Sequence, residues 1–399
     1  QYLSGYVTLS GALSYLKPVL PTFFLFAVLL VLRPLRLRAG AATVTRSLPV
    51  PSFARSVASA AGFLGAAAVI LQFMHSGTLA VEAGEAVAVG VVGLSVVLLT
   101  GYGGQLSLAQ YAFMGFGAWI FGRITPGGGV LGLVGVGLVT AALGAVVALP
   151  ALRLRGLYLA LSTLAFAELA FFLFFSQTSI MGGKDLRVPR IHLPFVSLRG
   201  DRADVFFECV VFALLAVGIL AIRRGSLGRL LVATRDSSAA CATLGANLTL
   251  IRLALFAAAS GVAGIGGALW GGVERSVTSL NFEYQLGLSL VLIVYIWGIS
   301  ATTGALLGGM SLSVLFPQLV PHLPARWAQV AYVGTGLGAI ALGQNPNGTV
   351  GQLSAAWQRI RLRQRGAPTA GGESWEPPVA PEEVAPKEGV MTLAGARDV

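Results

Sequence analysis

Long apolar runs separated by short polar segments make up most of this sequence. Most runs approach the roughly 20 residues that an α-helix needs to cross a bilayer. The runs lack the period of two that membrane β-strands show. The pattern therefore predicts an all-α, polytopic transmembrane bundle of about eleven spans. The expected spans cover residues 12–32, 56–74, 81–100, 108–123, 130–149, 156–175, 204–222, 250–272, 284–298, 303–320 and 326–343.

One polar interruption, residues 223–252, has a helical pattern of its own and is called the handle. Leu227, Leu230 and Leu231 recur at helical spacing, and the methyl group of Thr234 can continue their apolar stripe. The pattern fits a folded element that a partner on the cytoplasmic side grips. It fits equally an amphipathic loop that lies on the bilayer surface.

Capping residues divide the handle into two helices and connect it to the next span. Asp236 or Ser237 can cap a second short helix, and Gly245 can end it. Asn247 can then cap the apolar helix that follows. The handle is therefore expected to be ordered.

Composition and charge agree with a membrane protein. Charged residues make up 11% of the chain, against roughly 25% in a soluble domain. A net charge of +11 suggests nucleic acid in a soluble chain. Here the basic residues fall mostly in short loops, so the bilayer and not nucleic acid is the expected partner. The arginine-rich segments 33–55, 151–156, 223–252 and 359 onward share one side, which the positive-inside tendency assigns to the cytoplasm.

The sequence offers little catalytic or metal-binding chemistry. Cys209 and Cys241 lack the spacing of metal ligands, and the three histidines are isolated. No Gly-x4-Gly-Lys-[Ser/Thr] phosphate loop occurs. We therefore expect no catalytic residue, no metal site and no ATP hydrolysis in this chain.

Three runs resemble, in order and spacing, the M-type membrane subunit of branched-chain amino-acid ABC importers. They are GYGGQLSLAQYAF (101–113), LRLRGLYLALSTLAFAE (152–168) and GRLLVATRDSSAACATLGANLTLIRLALF (228–256). The resemblance covers about residues 55–355. It implies an ABC importer permease in the bacterial inner membrane, which passes a branched-chain amino acid across by alternating access. Importers of urea or short amides look alike in these runs.

The resemblance implies several partners. They are a second permease half of the H type, ABC ATPase domains and an extracytoplasmic solute-binding protein. ATP and magnesium would be bound by the ATPase, so no cofactor is expected in this chain. A rival of another class is a secondary carrier driven by an ion gradient, which would use Glu168, or Glu82 and Glu85.

The resemblance also implies that residues 228–245 form the coupling helix that docks into a groove of the ATPase. The matching positions are Gly228, Arg229, Arg235, Asp236, Ala240, Leu244 and Gly245. Ser238 stands where the family usually has an acidic residue, and Asp236 can substitute for it.

The ends of the chain suggest a fusion of three parts. Residues 1–52 resemble the last span and basic tail of a preceding permease half, and 53–366 form the permease domain. Residues 367–390 are rich in Pro and Glu, as in a solvated linker. Residues 391–399 resemble the opening strand of an ATPase domain.

Two further groups of polar residues are candidate sites. Gly104, Gln105 and Ser107 can belong to a broken helix that lines the pathway, or to a plain cytoplasmic turn. Glu168 lies within a span, where an acid faces protein or water and serves the pathway or a structural hydrogen bond. In the polar loop 176–203, expected on the opposite side of the membrane from the handle and called the outer loop, basic residues can attract the binding protein, or remain simply solvated. These docking candidates are Lys184, Arg187 and Arg190.

Overall fold

The computed structural model describes residues 27, 52–74, 76–125, 127–154, 156–181, 185–192, 200–319 and 348–349. Of the predicted span 12–32, only residue 27 is among them. The predicted span 326–343, the linker 367–390 and the segment 391–399 lie outside the described residues, as does Lys184.

Helices dominate the described chain. In order they are α1 (Phe53–Phe73), α2 (Gly77–Val96), α3 (Gln110–Ile124), α4 (Val130–Ala151), α5 (Leu157–Ala170), α6 (Thr178–Met181), α7 (Asp201–Arg224), α8 (Ser226–Asp236), α9 (Ser238–Thr243), α10 (Leu248–Glu274), α11 (Tyr284–Gly298), α12 (Thr302–Met310) and α13 (Phe316–Leu319). Turns of π-helix extend α2 over Val97–Tyr102, extend α5 over Phe171–Phe175 and join α12 to α13 over Ser311–Leu315. Strands β1 (Leu186–Arg187) and β2 (Ser276–Val277) pair antiparallel, and a 3-10 turn (Ser279–Phe282) follows β2.

Six of the described helices are long and apolar enough to cross a membrane. They are α1, α2 with its π-helical turn, α4, α5 with its π-helical turn, α7 and α10, and each coincides with a predicted span. Helices α3 and α11 coincide with two more predicted spans, but each has 15 residues. At 1.5 Å per residue such a helix measures about 22 Å, less than the roughly 30 Å of a hydrocarbon core. The all-α polytopic bundle is confirmed, and the number of spans stays a prediction.

Helix α10 lies at the centre of the bundle, where it packs against α2, α3 and α4. Helix α2 with its π-helical turn is nearly enclosed. Of its 18 most apolar consecutive residues 83% are buried, against 11% for α1. Helix α1 packs on α7 and leaves apolar side chains such as Val69 and Ile70 exposed. In a membrane bundle such side chains face lipid. Thus α2 and α10 form the core, and α1 is peripheral.

Charged residues mark both ends of α7. Asp201 and Asp204 lie in its first turn, and Arg223 and Arg224 lie in its last. Carboxylates at a helix start and guanidinium groups at a helix end oppose the partial charges of the helix dipole. The charges therefore stabilise α7 and define where it begins and ends.

Glycine residues allow α10 to approach its neighbours closely. A side chain at Gly267 would meet the backbone carbonyl of Met114 in α3, and one at Gly264 would meet Thr140 in α4. Small residues at such crossings let membrane helices come into backbone contact. The glycine content of α10 is therefore a packing feature of this chain.

Gly267→Ala should lower the stability of the protein, because the new methyl group meets the Met114 carbonyl and pushes α10 away from α3. Overpacking of this kind costs about 1–3 kcal/mol of unfolding free energy. Gly135→Ala is the matched control, since nothing lies within 4 Å of a Cβ built there. Thermal unfolding in detergent should give a lower Tm for the first variant only. Equal Tm values would contradict the close crossing.

Candidate functional site

The described bundle contains an irregular segment between two of its core helices. The π-helical turn Val97–Tyr102 ends α2, and α3 does not begin until Gln110. The intervening residues 103–109 are called the helix break. Gln105 and Ser107 within it are buried. Irregular backbone in a membrane protein needs partners within the protein for its N–H and C=O groups.

Side chains and turned-back amides supply those partners. The amide of Gly104 donates to the carbonyl of Thr100 at 3.1 Å, and the hydroxyl of Thr100 donates to the carbonyl of Gln105 at 3.0 Å. The amide of Leu108 donates to the hydroxyl of Thr163, on α5, at 3.0 Å. The helix break is therefore an ordered element that depends on α5.

The handle folds into helices α8 and α9, as the capping residues predicted. The side chain of Ser237 accepts a hydrogen bond from the amide of Ala240 at 3.3 Å. Gly245 has a φ of +83°, the left-handed conformation that commonly ends a helix. The side chain of Asn247 accepts a hydrogen bond from the amide of Leu250 at 3.1 Å and so caps α10. Each of these three positions was predicted from the sequence.

The predicted apolar stripe of the handle packs only in part. Leu231 and Thr234 are buried, whereas Leu227 is 64% exposed. Gly228 is also buried, and its missing side chain makes room for the backbone of Arg223 at the end of α7. This close approach lets α8 fold back on the bundle directly after α7.

The predicted coupling residues divide between two faces of the handle. Gly228 and Arg235 face the bundle, and Ser238 is half-buried. The remaining members are exposed: Arg229, Asp236, Ala240, Leu244 and Gly245. Thus one face of the handle contacts the membrane helices, while the other is open to a partner.

A cavity of about 150 Å³ connects the handle with the helix break. Its polar lining includes Gly104, Gln105, Thr234, Arg235, Ser238 and Arg252. The structure therefore brings two predicted pathway residues together with two predicted coupling residues. The other two pathway candidates, Ser107 and Glu168, do not line this cavity. Ser107 is buried, where its hydroxyl accepts the amide of Ala109, and Glu168 is half-buried on α5.

Comparison with known protein families shows to which family the chain belongs. Residues 79–335 match the model of a family described as the permease component of the branched-chain amino acid transport system. The match covers well over half of the chain. The chain belongs to this permease family.

Two relatives of the permease carry the same name, high-affinity branched-chain amino acid transport system permease protein LivM. They come from Salmonella typhimurium and Escherichia coli, and each is 29% identical over 255 residues. The match covers 56% of this chain and 57% of each relative, so the chain spans about half the length of the relatives that it matches. A comparison with solved structures gives no match. Family membership and six long apolar helices make the permease a multi-pass protein of the bacterial inner membrane.

The described docking candidates of the permease have different surroundings. Arg190 forms an ion pair with Asp201 at the start of α7, and Arg275 reaches the same carboxylate at 2.6 Å. Arg187, on β1, is exposed. Arg190 therefore ties the outer loop to α7, while Arg187 is accessible to a partner.

Sequence reasoning missed one acidic residue of the permease. Glu208 lies about two turns after the start of α7, is 2% exposed, and its Oε2 atom has no hydrogen-bond partner among the described residues. It fits against Gly84 of α2, where a Cβ would lie 3.0 Å from that oxygen. Two more acidic residues, Glu85 of α2 and Glu274 of α10, lie near each other in the same part of the bundle. The acid inside the apolar run that follows Asp204 was the signal that could have found Glu208, because acids inside membrane helices are typical of functional sites.

Thr163→Val should destabilise the permease, since it removes the hydroxyl that accepts the Leu108 amide and leaves a buried donor unpaired. The loss should be about 1–3 kcal/mol. Thr163→Ser keeps the hydroxyl and should retain a Tm close to that of the wild type. If both variants lost stability equally, packing of the methyl group and not the hydrogen bond would hold the helix break.

Proposed function

We propose that this permease is the membrane subunit of an ATP-driven importer of branched-chain amino acids. The observation that carries the proposal is the two-faced handle, in which Arg235 faces the bundle while Asp236 and Leu244 are exposed. An element packed on the membrane helices by one face can pass movement from a partner on its other face. The names of the two relatives, which specify branched-chain amino acid transport, support the solute class.

The exposed face of the handle binds an ABC ATPase domain, which holds ATP and magnesium. A second permease half, of the H type, encloses the pathway together with this chain. When the ATPase domains close on ATP, they move the handles, and the two halves rock between outward-facing and inward-facing states. The residues on the ATPase side are Asp236, Ala240, Leu244 and Gly245, with Arg229 at the edge of the same face.

A solute-binding protein delivers the amino acid from outside. Arg187 is exposed for this contact, and Lys184 is close in sequence. Positive charge at such a surface attracts carboxylates of the binding protein and mainly raises the association rate. Arg190, paired with Asp201, positions the loop without meeting the partner.

A second candidate function is ion-gradient-driven transport. Glu208, Glu85 and Glu274 favour it, because acidic residues gathered between membrane helices occur in proton relays. The two candidates require different energy sources, so one uptake experiment distinguishes them.

Uptake of labelled leucine should require ATP and survive the loss of ion gradients. The measurement uses membrane vesicles that contain the complete transport system, with ATP supplied or withheld and with ionophores added or omitted. An excess of unlabelled urea should leave leucine uptake unchanged. Uptake that stops with the ionophores and continues without ATP would establish the carrier and reject the importer.

Asp236→Arg combined with Leu244→Glu should disrupt the contact with the ATPase. Both side chains are exposed, so the amount of permease in the membrane should not change. Loss of a central interface contact of about 2 kcal/mol corresponds to a roughly tenfold or greater loss of ATPase co-purification and of leucine uptake. Arg153→Ala, an exposed change in the loop after α4, is the control. Full co-purification of the double variant would place the ATPase elsewhere.

A further inference from the structure

Arg235 is the side chain through which the handle reaches the helix break. Its Nη1 atom donates a hydrogen bond to the carbonyl oxygen of Gly101 at 2.6 Å. Its aliphatic part lies against Gly104, where a Cβ would be 2.8 Å from the Cγ atom of Arg235. Gly104 has a φ of +64°, a conformation that favours glycine. A movement of α8 would therefore first displace residues 101–104, which contact Arg235.

The carbonyl that Arg235 holds belongs to a turn with contacts on several sides. Carbonyl groups at the end of a helix lack partners within it and carry partial negative charge, which a guanidinium group neutralises. A side chain at Gly101 would collide with the carbonyl of Ile299, just after α11. The hydroxyl of Tyr102 donates to the carbonyl of Ser300 at 3.4 Å. Displacement of this turn would therefore also disturb the end of α11.

A second acceptor for Arg235 lies in the same cavity. Gln105 is 7% exposed, and its Oε1 atom has no hydrogen-bond partner among the described residues. Gln105 and Arg235 both line the cavity of about 150 Å³, which exceeds the roughly 30 Å³ of one water molecule several-fold. A buried amide oxygen without a donor is costly, so a donor that reaches it in another state of the protein stabilises that state. Arg235 can be that donor, because it lines the same polar cavity and the cavity gives its guanidinium group room to move.

We propose that Arg235 is a positioning residue that exchanges the Gly101 carbonyl for Gln105 Oε1 when the handle moves. In the structure it binds the Gly101 carbonyl and lies against Gly104, and so it holds the turn where the helix break begins. After the handle moves, it binds Gln105, and the turn at the end of α2 is released. The proposal rests on the proposed function for the source of the movement. In this proposal Arg235 passes the movement of the handle to the membrane helices, whereas Asp236, the next residue, belongs to the exposed face. Two discrete acceptors give the coupling a two-state element.

Hydrogen–deuterium exchange of the purified permease in nanodiscs tests the contact between Arg235 and Gly101, and the result does not depend on the transported solute. The amides of Gly103, Gly104 and Gln105 donate to carbonyls of residues 98–100. In Arg235→Ala their exchange should be roughly tenfold faster, the loss expected for one charge-assisted hydrogen bond. Arg235→Lys should retain part of the protection, and Arg153→Ala should retain all of it. Unchanged exchange in Arg235→Ala would overturn the proposal.

Gln105→Leu separates the two halves of the switch. It removes the second acceptor and leaves the Gly101 contact in place, so the exchange of residues 103–105 should stay slow. Leucine turnover by the complete ATP-driven system should fall roughly tenfold in Gln105→Leu and in Arg235→Ala. The half-saturating leucine concentration and the co-purification of the ATPase should not change. Turnover at the wild-type level in Gln105→Leu, or a raised half-saturating concentration alone, would overturn the switch.

The transport and exchange measurements distinguish an error in the proposal for Arg235 from an error in the proposed function. If Arg235→Ala lost the ATPase while exchange stayed slow, Arg235 would belong to the ATPase contact and the proposal would be wrong. If the wild type took up leucine without ATP, the proposed function would be wrong. Faster exchange in Arg235→Ala would then still establish that Arg235 holds the helix break.

Discussion

An interrupted helix inside a membrane protein has to find, within the protein, the hydrogen bonds that water would supply elsewhere. Here the Leu108 amide of the helix break bonds Thr163 of α5, and the Gly101 carbonyl just before the break bonds Arg235 of the handle. These donors and acceptors come from elements far apart in sequence. The geometry of the helix break is therefore set by where α5 and the handle lie, and it changes when either of them moves.

The apolar side of the helix break allows little movement. Gly103 lies against the side chain of Leu255 in α10, with no room for a Cβ between them. Helix α10 is itself in backbone contact with α3 through Gly267. Such close crossings behave as a rigid frame, because packed interiors resist compression. The polar cavity of about 150 Å³ beside Arg235 is the side on which space remains next to the helix break.

Features that depend on neighbours in sequence could be predicted, and features that depend on tertiary contacts could not. The spans follow from local apolarity, and the capping roles of Ser237 and Asn247 follow from side chains that bond amides three residues ahead. The inward orientation of Arg235 depends on Gly101, 134 residues away. The burial of Glu208 depends on the missing side chain of Gly84 on another helix. The sequence therefore predicted where the second helix of the handle and the following span begin, but not which arginine of the handle faces the bundle.

Polar contacts attach α2 to its neighbours near both of its ends, and the handle supplies one of these contacts. Near the beginning of α2, the side-chain amide of Gln318 in α13 donates a hydrogen bond to Glu82 at 2.8 Å. Beyond its end, Gly101 is held by Arg235. Between these points α2 is buried against α10 and α12 through glycine and alanine contacts. Release of the Gly101 carbonyl would leave α2 attached to α13 through Glu82 and to α3 through the hydrogen bond from Ser95 to Gln110. Loss of the Arg235 contact would therefore free the turn beside the handle and not the whole of α2.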